Sequence, residues 1–239
     1  MPLPKIATPT YELVIPSSKK KIKFRPFLVK EEKVLILAME SEDTNQIANA
    51  VKNVISSCIL SRGIKVEKLS TFDIEYLFLN IRGKSVGEQI EVMVTCPDDK
   101  TTKVPTSINI DSIKVQIGDN HSKDIVLDEQ YTLRMKYPSL SEFIKNNFAS
   151  MDDVGVDDTF DLIASCIEQV YSEEESFAAS DCTKKELSQF LEQLNSSQFK
   201  MIETFFETMP KLSHTVKVIN PNTGVENEII LEGLQSFFG

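Results

Sequence analysis

The first forty residues alternate between apolar and polar positions and then change period. Tyr11 to Ile15 and Lys21 to Phe24 alternate on either side of the turn formers Pro16, Ser17 and Ser18, which predicts a β-hairpin whose lysines face water. After this hairpin the apolar positions recur at helical spacing. The first helix is expected to carry an apolar stripe, which is formed by Leu28, Val29, Val34, Leu35, Ala38 and Met39.

Two further helices are expected, and each precedes a glycine. Ile47 to Ile59 has helical apolar spacing before Gly63, and Phe72 to Ile81 has the same spacing before Gly83. Glycine adopts positive φ at little cost and commonly follows the last helical turn. We therefore expect both helices to end at these glycines.

The middle of the chain returns to alternation. Ile90 to Thr95 and Thr102 to Ile108 flank the turn-rich stretch Cys96 to Lys100, which predicts a second hairpin. Further short strands are expected over 113–117, 125–127 and 131–135. Together these strands predict a small antiparallel sheet.

Helical spacing returns from Ser139, and a last alternating pair closes the chain. Helices are expected over Leu140–Phe148, Phe160–Tyr171, Lys185–Leu194 and Phe199–Met209, and a hairpin over His214–Ile219 and Val225–Leu231. The predicted class is α+β: an N-terminal β-hairpin, helices, a small central antiparallel sheet, an acidic helical bundle and a C-terminal β-hairpin. The expected segments are 1–85, 86–137 and 138–239, and the last ends in an apolar tail.

Charge is distributed unevenly along these segments. The net charge of the 239 residues is −10, yet residues 1–40 hold eight Lys and Arg against four Glu, whereas residues 139–210 hold four Lys against fifteen Asp and Glu. An acidic chain is poorly suited to general nucleic-acid binding, because a basic face must displace counterions from phosphates. The asymmetry favours protein partners, although a solvated acidic face on a helical bundle is the simpler explanation of the acid.

Hydropathy and cysteine content indicate in which cellular compartment the protein is expected. The chain has no apolar run of roughly 18 residues, and its N-terminus lacks the apolar stretch of a signal peptide. We therefore expect a cytosolic protein with no membrane contact. Four scattered cysteines, Cys58, Cys96, Cys166 and Cys182, are expected to be free thiols, mostly in the core.

Two patterns could hold a metal, and neither has the required ligands. A cluster of five acids, Asp152, Asp153, Asp157, Asp158 and Asp161, lacks the glycine and glutamate of a calcium loop. The turns at Cys96 and at Asn220–Gly224 sit between strands as zinc-ribbon knuckles do, but only Cys96 lies in a turn, with His214 nearby. We expect no metal and no cofactor, and a metal-free zinc-ribbon-like nucleic-acid-binding module remains the alternative interpretation.

Catalytic residues are not evident in this sequence. His121 and His214 lie in no recognisable acid, base or metal motif, and the glycines form no phosphate-binding loop. An enzyme would need a pocket that combines one of these histidines with a carboxylate. The sequence predicts a binding protein instead.

Two parts of the chain are candidate partner contacts. The tail LEGLQSFFG either packs against its own fold or docks into a partner, and the basic strand with Arg25-Pro26-Phe27 has the character of a docking element. The candidate partner-binding residues are Lys19, Lys20, Lys21, Lys23, Arg25, Phe27, Leu234, Phe237 and Phe238.

Three stretches carry a family resemblance. They are the opening MPLPKIATPTYELVIPSSKKKIKFRPFLVKEEKVLILAMES, the interior TCPDD and the ending IILEGLQSFFG. The chain resembles, from end to end, the baseplate hub subunits and hub assembly proteins of T-even-like contractile-tailed phages, and KFRPFLVKEEK is the most specific part. No binding residue can be carried over position by position from this resemblance.

The resemblance implies a role for the whole protein. It implies a non-enzymatic structural or assembly protein that works through contacts with other hub or tail proteins, in the cytoplasm of an infected bacterial host. It leaves open whether the protein stays in the tail baseplate of the virion, and whether it forms a homo-oligomer.

Overall fold

The computed structural model describes residues 6–41, 43–140, 156–233 and 236. It has the predicted α+β class. The helices are α1 (Val29–Glu40), α2 (Thr44–Cys58), α3 (Thr71–Val86), α4 (Val156–Ser165), α5 (Lys184–Glu192) and α6 (Ser196–Thr208). The strands are β1 (Tyr11–Val14), β2 (Lys21–Phe24), β3 (Gln89–Thr95), β4 (Lys103–Asn109), β5 (Lys114–Gln116), β6 (Asp124–Val126), β7 (Thr132–Met135), β8 (Ile167–Tyr171), β9 (Ser176–Ala178), β10 (Lys211–Ile219) and β11 (Glu226–Glu232).

The chain divides into two compact units, and both of them join separate stretches of sequence. The first unit comprises Met1–Val66, Phe72–Gln116 and Lys211–Gly239, and the second comprises Glu67–Thr71 and Ile117–Pro210. The expected division into 1–85, 86–137 and 138–239, with one compact unit as its alternative, stays a prediction.

The first unit contains the three predicted hairpins. β1 pairs with β2, β3 with β4, and β10 with β11, all antiparallel, and β5 adds to the free edge of β10. A shared core forms where the buried positions of these strands meet α3. Its most completely buried members include Leu79, Ile90, Cys96, Ile113 and Leu212.

Over its described residues, 67–71, 117–140 and 156–210, the second unit has one sheet and three α-helices. Its strands lie in the order β6-β7-β8-β9, all antiparallel. Apolar residues of β7, β8, α4 and α6 form the core, with Leu133, Met135, Ile167 and Ile202 almost fully buried.

The predicted helix over Phe160–Tyr171 is wrong in its second half. α4 ends at Ser165, and the residues from Ile167 onward form β8, which pairs with β7. Ile167, Val170 and Tyr171 have the spacing of a helix, but the segment pairs with β7 instead, and a register shift between Arg134 and Met135 allows both Ile167 and Val170 to be buried. The strands expected within 86–137 also divide among three sheets instead of forming one.

The glycines do not end the helices as expected. α2 ends at Cys58, and Gly63, with a φ of 81°, lies in the loop beyond it. α3 runs through Gly83 to Val86, and Gly87, with a φ of 137°, follows its end. A Cβ at position 83 would lie 3.1 Å from Ile110 Cδ1, so this glycine permits close packing instead of a turn.

α1 does not bury the apolar stripe that was expected of it. Of the stripe residues, Ala38 is buried and Leu35 half-buried, whereas Val29 is 80% exposed and Val34 and Met39 are also exposed. The predicted helix over Leu140–Phe148 lies, beyond Leu140, outside the described residues. All four cysteines are free thiols, and Cys58, Cys96 and Cys166 are buried as expected.

Candidate interaction surface

The N-terminal hairpin separates an apolar face from a basic one. Ile22 and Phe24 of β2 are 1% and 2% exposed, whereas Lys21 and Lys23 point to solvent. Strand alternation explains this division, since successive side chains point to opposite faces. Together with Lys19 and Lys20 in the turn, these side chains form what we call the lysine strip: Lys19, Lys20, Lys21 and Lys23.

A buried carboxylate holds the turn of this hairpin. The Ser17 amide donates a hydrogen bond to Asp73 Oδ1 at 2.9 Å, and the Ser17 hydroxyl donates to Asp73 Oδ2. Asp73 lies in the first turn of α3 and is fully buried. Because a buried carboxylate requires hydrogen-bond donors, this contact ties the turn firmly to α3.

The second edge of β2 is also occupied. The Leu60 amide donates to the carbonyl of Lys23 at 2.8 Å, and the Arg25 amide donates to the carbonyl of Cys58 at 2.9 Å. The Lys23 amide donates to Ser61 Oγ at 2.8 Å. The backbone that carries the lysine strip is therefore fixed on both sides.

The junction between β2 and α1 is built around one ion pair. Arg25 Nη2 donates to Glu31 Oε1 at 2.9 Å, and the side chains are 14% and 7% exposed. Glu31 Oε2 accepts a hydrogen bond from the Leu28 amide at 2.8 Å and so caps the start of α1. The Phe27 amide donates to Ser85 Oγ at 2.9 Å, which attaches the junction to the last turn of α3.

These contacts set the charge states at the junction. Burial alone would raise the pKa of Glu31, but the hydrogen bonds from Arg25 and Leu28 and the charge of Arg25 lower it below its ordinary value of 4.5. The hydrogen bond to Glu31 raises the pKa of Arg25. Burial raises the pKa of the neighbouring Cys58 to about 11, so this thiol is neutral.

Glu12 on β1 offsets part of the lysine strip. Its carboxylate lies 2.5 Å from Lys21 Nζ and 4.0 Å from Lys23 Nζ. The Lys21 hydrogen bond and charge lower the pKa of Glu12, which therefore stays ionised. Within the described ranges, no ion pair involves Lys19 or Lys20, so these two carry the uncompensated charge.

The predicted partner-binding residues thus differ in their exposure to solvent. Lys19, Lys20, Lys21 and Lys23 are exposed, as expected, whereas Phe27 is buried and Arg25 is engaged with Glu31 inside the fold. The structure brings these six residues together on one hairpin and its junction. The tail residues Leu234, Phe237 and Phe238 lie outside the described residues, and a role for them stays a prediction.

Sequence reasoning missed two features of this surface. The role of Asp73 depends on a contact 56 residues away in the sequence, which periodicity cannot reveal. A cleft of about 310 Å³ beside Lys19, lined by Val14, Tyr76, Asp111 and others, also joins distant segments. Asp111, an exposed acid of the short 3₁₀ helix that follows Asn109, lines the same cleft as Lys19.

The two turns considered as zinc knuckles do meet, but through hydrogen bonds. Asn220 Nδ2 donates to Asp98 Oδ1 at 2.8 Å, Thr223 Oγ1 donates to Asp98 Oδ2 at 2.5 Å, and Asn222 Nδ2 donates to Thr102 Oγ1 at 2.8 Å. In the part of the chain that the structure describes, no three His, Cys, Asp or Glu side chains are grouped to hold a metal ion. No observation favours the zinc-ribbon alternative.

His121 has an evident packing role. Its ring stacks on Tyr137 and packs against Phe205, with ring centroids 5.7 and 5.2 Å away, and its nitrogens lie 3.0 Å from Thr208 Oγ1 and from Tyr137 Oη. Burial and the nearby charge of Lys123 lower its pKa below 6.5. The ring is thus a partly buried, neutral member of an aromatic cluster in the second unit.

Comparisons with known proteins agree with a binding role. The chain is 26% identical over 236 residues to the baseplate hub assembly protein gp26 of Enterobacteria phage T4, which covers 95% of this chain and 97% of that relative. No solved structure matches the chain. None of the described helices has the length and apolar character that a membrane crossing requires.

A family model matches almost the entire chain. The matching family is described as T4 bacteriophage base plate protein, and the match covers residues 8–239. The KFRPFLVKEEK stretch that carried the resemblance forms β2, the ion-paired junction and the start of α1. The chain therefore belongs to the family of T4 bacteriophage base plate proteins.

Proposed function

We propose that this protein acts in assembly of the baseplate hub by binding other baseplate or tail proteins through the lysine strip. Family membership supports a structural or assembly role in the phage baseplate, and the T4 relative is named for hub assembly. The observation that carries the proposal is the rigid mounting of Lys19, Lys20, Lys21 and Lys23 on a backbone held at both edges.

Rigid mounting gives the strip a binding advantage. A positive surface accelerates encounter with an acidic partner, and a surface already held in place loses little entropy when the partner binds. Lys19 and Lys20 contribute most to this attraction, because Glu12 offsets Lys21 and Lys23. The partner is therefore an acidic surface of another baseplate or tail protein.

The protein acts without catalysis and within the infected bacterial cell, and it then joins the virion tail. His121 serves as a neutral core residue, and burial raises the pKa of the thiols of Cys58 and Cys96, which disfavours their nucleophilic thiolate forms. The net charge of −10 favours a protein over a nucleic acid as partner. The apolar tail residues Leu234, Phe237 and Phe238 form a second contact that slows dissociation.

Association kinetics with purified hub proteins test this proposal. Lys19→Glu, Lys20→Glu and Lys21→Glu combined should slow association at least about tenfold at low salt and weaken its salt dependence. The matched control combines Lys65→Glu, Lys103→Glu and Lys217→Glu, which changes the net charge equally at exposed lysines elsewhere in the first unit. Equal slowing by both triple variants would show that net charge alone matters, and the lysine strip would lose its assigned role.

A further inference from the structure

α1 has two opposite faces with different degrees of burial. Residues 31, 35 and 38 recur at helical spacing and form the inner face, on which Glu31 and Ala38 are 6% and 8% exposed. Residues 29, 33, 36 and 40 lie about half a turn away and form the outer face. Val29 and Ile36 on that face are 80% and 50% exposed, and Leu37 beside it is 55% exposed.

So many exposed apolar side chains on one short helix indicate a missing covering element. A helix that is apolar on all sides is normally buried, whereas a surface helix keeps its outer face polar. Exposed apolar residues that are scattered singly require no explanation, but a contiguous group marks an interaction surface. Ile36 and Leu37, with Val29 two turns before them, are such exposed apolar neighbours on the outer side of α1.

The charges on the outer face show what would cover it. Lys33 lies one turn before Ile36 and Glu40 lies one turn after it, so an apolar centre is placed between opposite charges. Both residues are exposed, and no ion pair of the described residues involves either one. If two copies of this face meet in antiparallel orientation, Lys33 of each copy lies opposite Glu40 of the other.

We propose that α1 is a self-association surface, on which a second copy of this chain docks its own α1 in antiparallel orientation. A twofold axis between residues 36 and 37 places Ile36 of one copy against Leu37 of the other. Such a contact is isologous, because the same patch is used on both copies. The proposal does not depend on the role of the lysine strip.

The end of α1 supplies an independent reason for this orientation. Glu40 lies in the last turn, which contains no basic residue, and a negative charge is unfavourable near the negative end of the helix dipole. Lys33 of a second copy, docked antiparallel, would place a positive charge at that end. A parallel arrangement would instead bring like charges together at both ends of the apolar centre.

The size of α1 limits the strength of this association. Twelve helical residues per copy bury less area than the roughly 1,200 to 2,000 Å² of a stable interface. We therefore expect a weak dimer with a dissociation constant on the order of 10 to 100 μM, which is visible by sedimentation equilibrium at high protein concentration.

A charge-swap cycle on the full chain tests the proposal. Lys33→Glu and Glu40→Lys, each alone, place like charges at both ends of the pair and should weaken dimerisation about tenfold. The double variant Lys33→Glu/Glu40→Lys restores opposite charges and should dimerise like the wild type. An equimolar mixture of the two single variants should form heterodimers that neither variant forms with itself, and Ile36→Glu should abolish association.

Circular dichroism and thermal unfolding of each variant confirm that the exposed substitutions leave the fold intact. A wild-type protein that stays monomeric up to about 1 mM would overturn the proposal. So would a dimer that tolerates Ile36→Glu, because another surface would then hold it. Loss of dimerisation in the double variant as well as in the single ones would show that the antiparallel pairing is wrong.

Discussion

Asn220 and Asp98 are hydrogen-bonded to each other although they lie 122 residues apart in the chain. The Asn220 amide donates to both oxygens of the carboxylate, at 2.8 and 3.1 Å, and its side chain is fully buried. This contact joins the turn of the β3–β4 hairpin to the turn of the β10–β11 hairpin. Hydrogen bonds thus join the two turns at the position where the knuckles of a zinc ribbon would bind the metal.

Removing that link should destabilise the first unit. Asn220→Ala removes the hydrogen bonds that this buried side chain makes to Asp98 and to the Asn222 amide, and it should cost about 1 to 3 kcal/mol in the free energy of unfolding. Urea unfolding measures this cost. Asn53→Ala, an exposed position on α2, is the matched control and should change stability little; equal effects at both positions would contradict the assigned role of Asn220.

A second prediction concerns the contribution to stability of the junction between the N-terminal hairpin and α1. Phe27 is 9% exposed, so Phe27→Ala should cost about 3 to 5 kcal/mol through lost burial and a residual cavity. Val29→Ala, two residues away and 80% exposed, serves as the comparison and should cost far less. A loss below about 1 kcal/mol for Phe27→Ala would mean that the side chain does not anchor the junction.

The Arg25 and Glu31 pair should act as a unit. Arg25→Met leaves the buried carboxylate of Glu31 with only Lys30 and the Leu28 amide as partners, and we expect a loss of about 3 kcal/mol. The double variant Arg25→Met/Glu31→Met removes both charges and should recover part of that loss. Additive losses in the double-mutant cycle would show that the two side chains are not coupled.

The pH dependence of this pair has a definite sign. Because the pKa of Glu31 is lower in the folded state than its ordinary 4.5, the pair's stabilisation is fully present above about pH 4.5. It is lost as the pH falls further, through the folded-state pKa. In the double variant this part of the acid sensitivity should disappear.

His121 should make the stability of the protein depend on pH in a higher pH range than Glu31 does. Its folded-state pKa lies below 6.5, so the unfolded chain takes up the proton first as the pH falls, and stability should decrease below about pH 6.5. His121→Gln should flatten the dependence of the unfolding midpoint between pH 7.5 and 5.5. An unchanged slope in this variant would contradict the partly buried, neutral state assigned to the ring.

Local patterns predict the hairpins well and the longer-range contacts poorly. β1 and β2 alternate strictly around a short turn, so their pairing follows from the sequence alone. β8 could not be separated from the preceding helix, because its pairing partner β7 lies far upstream. The lysine strip followed from alternation, whereas the burial of Arg25 requires knowledge of where Glu31 lies.

α1 shows why the apolar stripe was assigned to the wrong face. The inner face carries the charged Glu31, which is buried together with the side chain of its partner Arg25 and is also bonded by the Leu28 amide. A pattern of apolar residues cannot reveal a charge that is neutralised by a neighbouring element. Because Glu31 occupies the inner face, several apolar residues of α1 lie on the outer face instead. That face is the proposed site of self-association.

Complementation of phage that lack this gene tests the role of the lysine strip most directly. The variant with Lys19→Glu, Lys20→Glu and Lys21→Glu should fold normally yet yield few complete baseplates when these are counted by electron microscopy. The control with Lys65→Glu, Lys103→Glu and Lys217→Glu should support baseplate assembly at close to the wild-type level. Normal baseplate numbers from the folded lysine-strip variant would contradict the account.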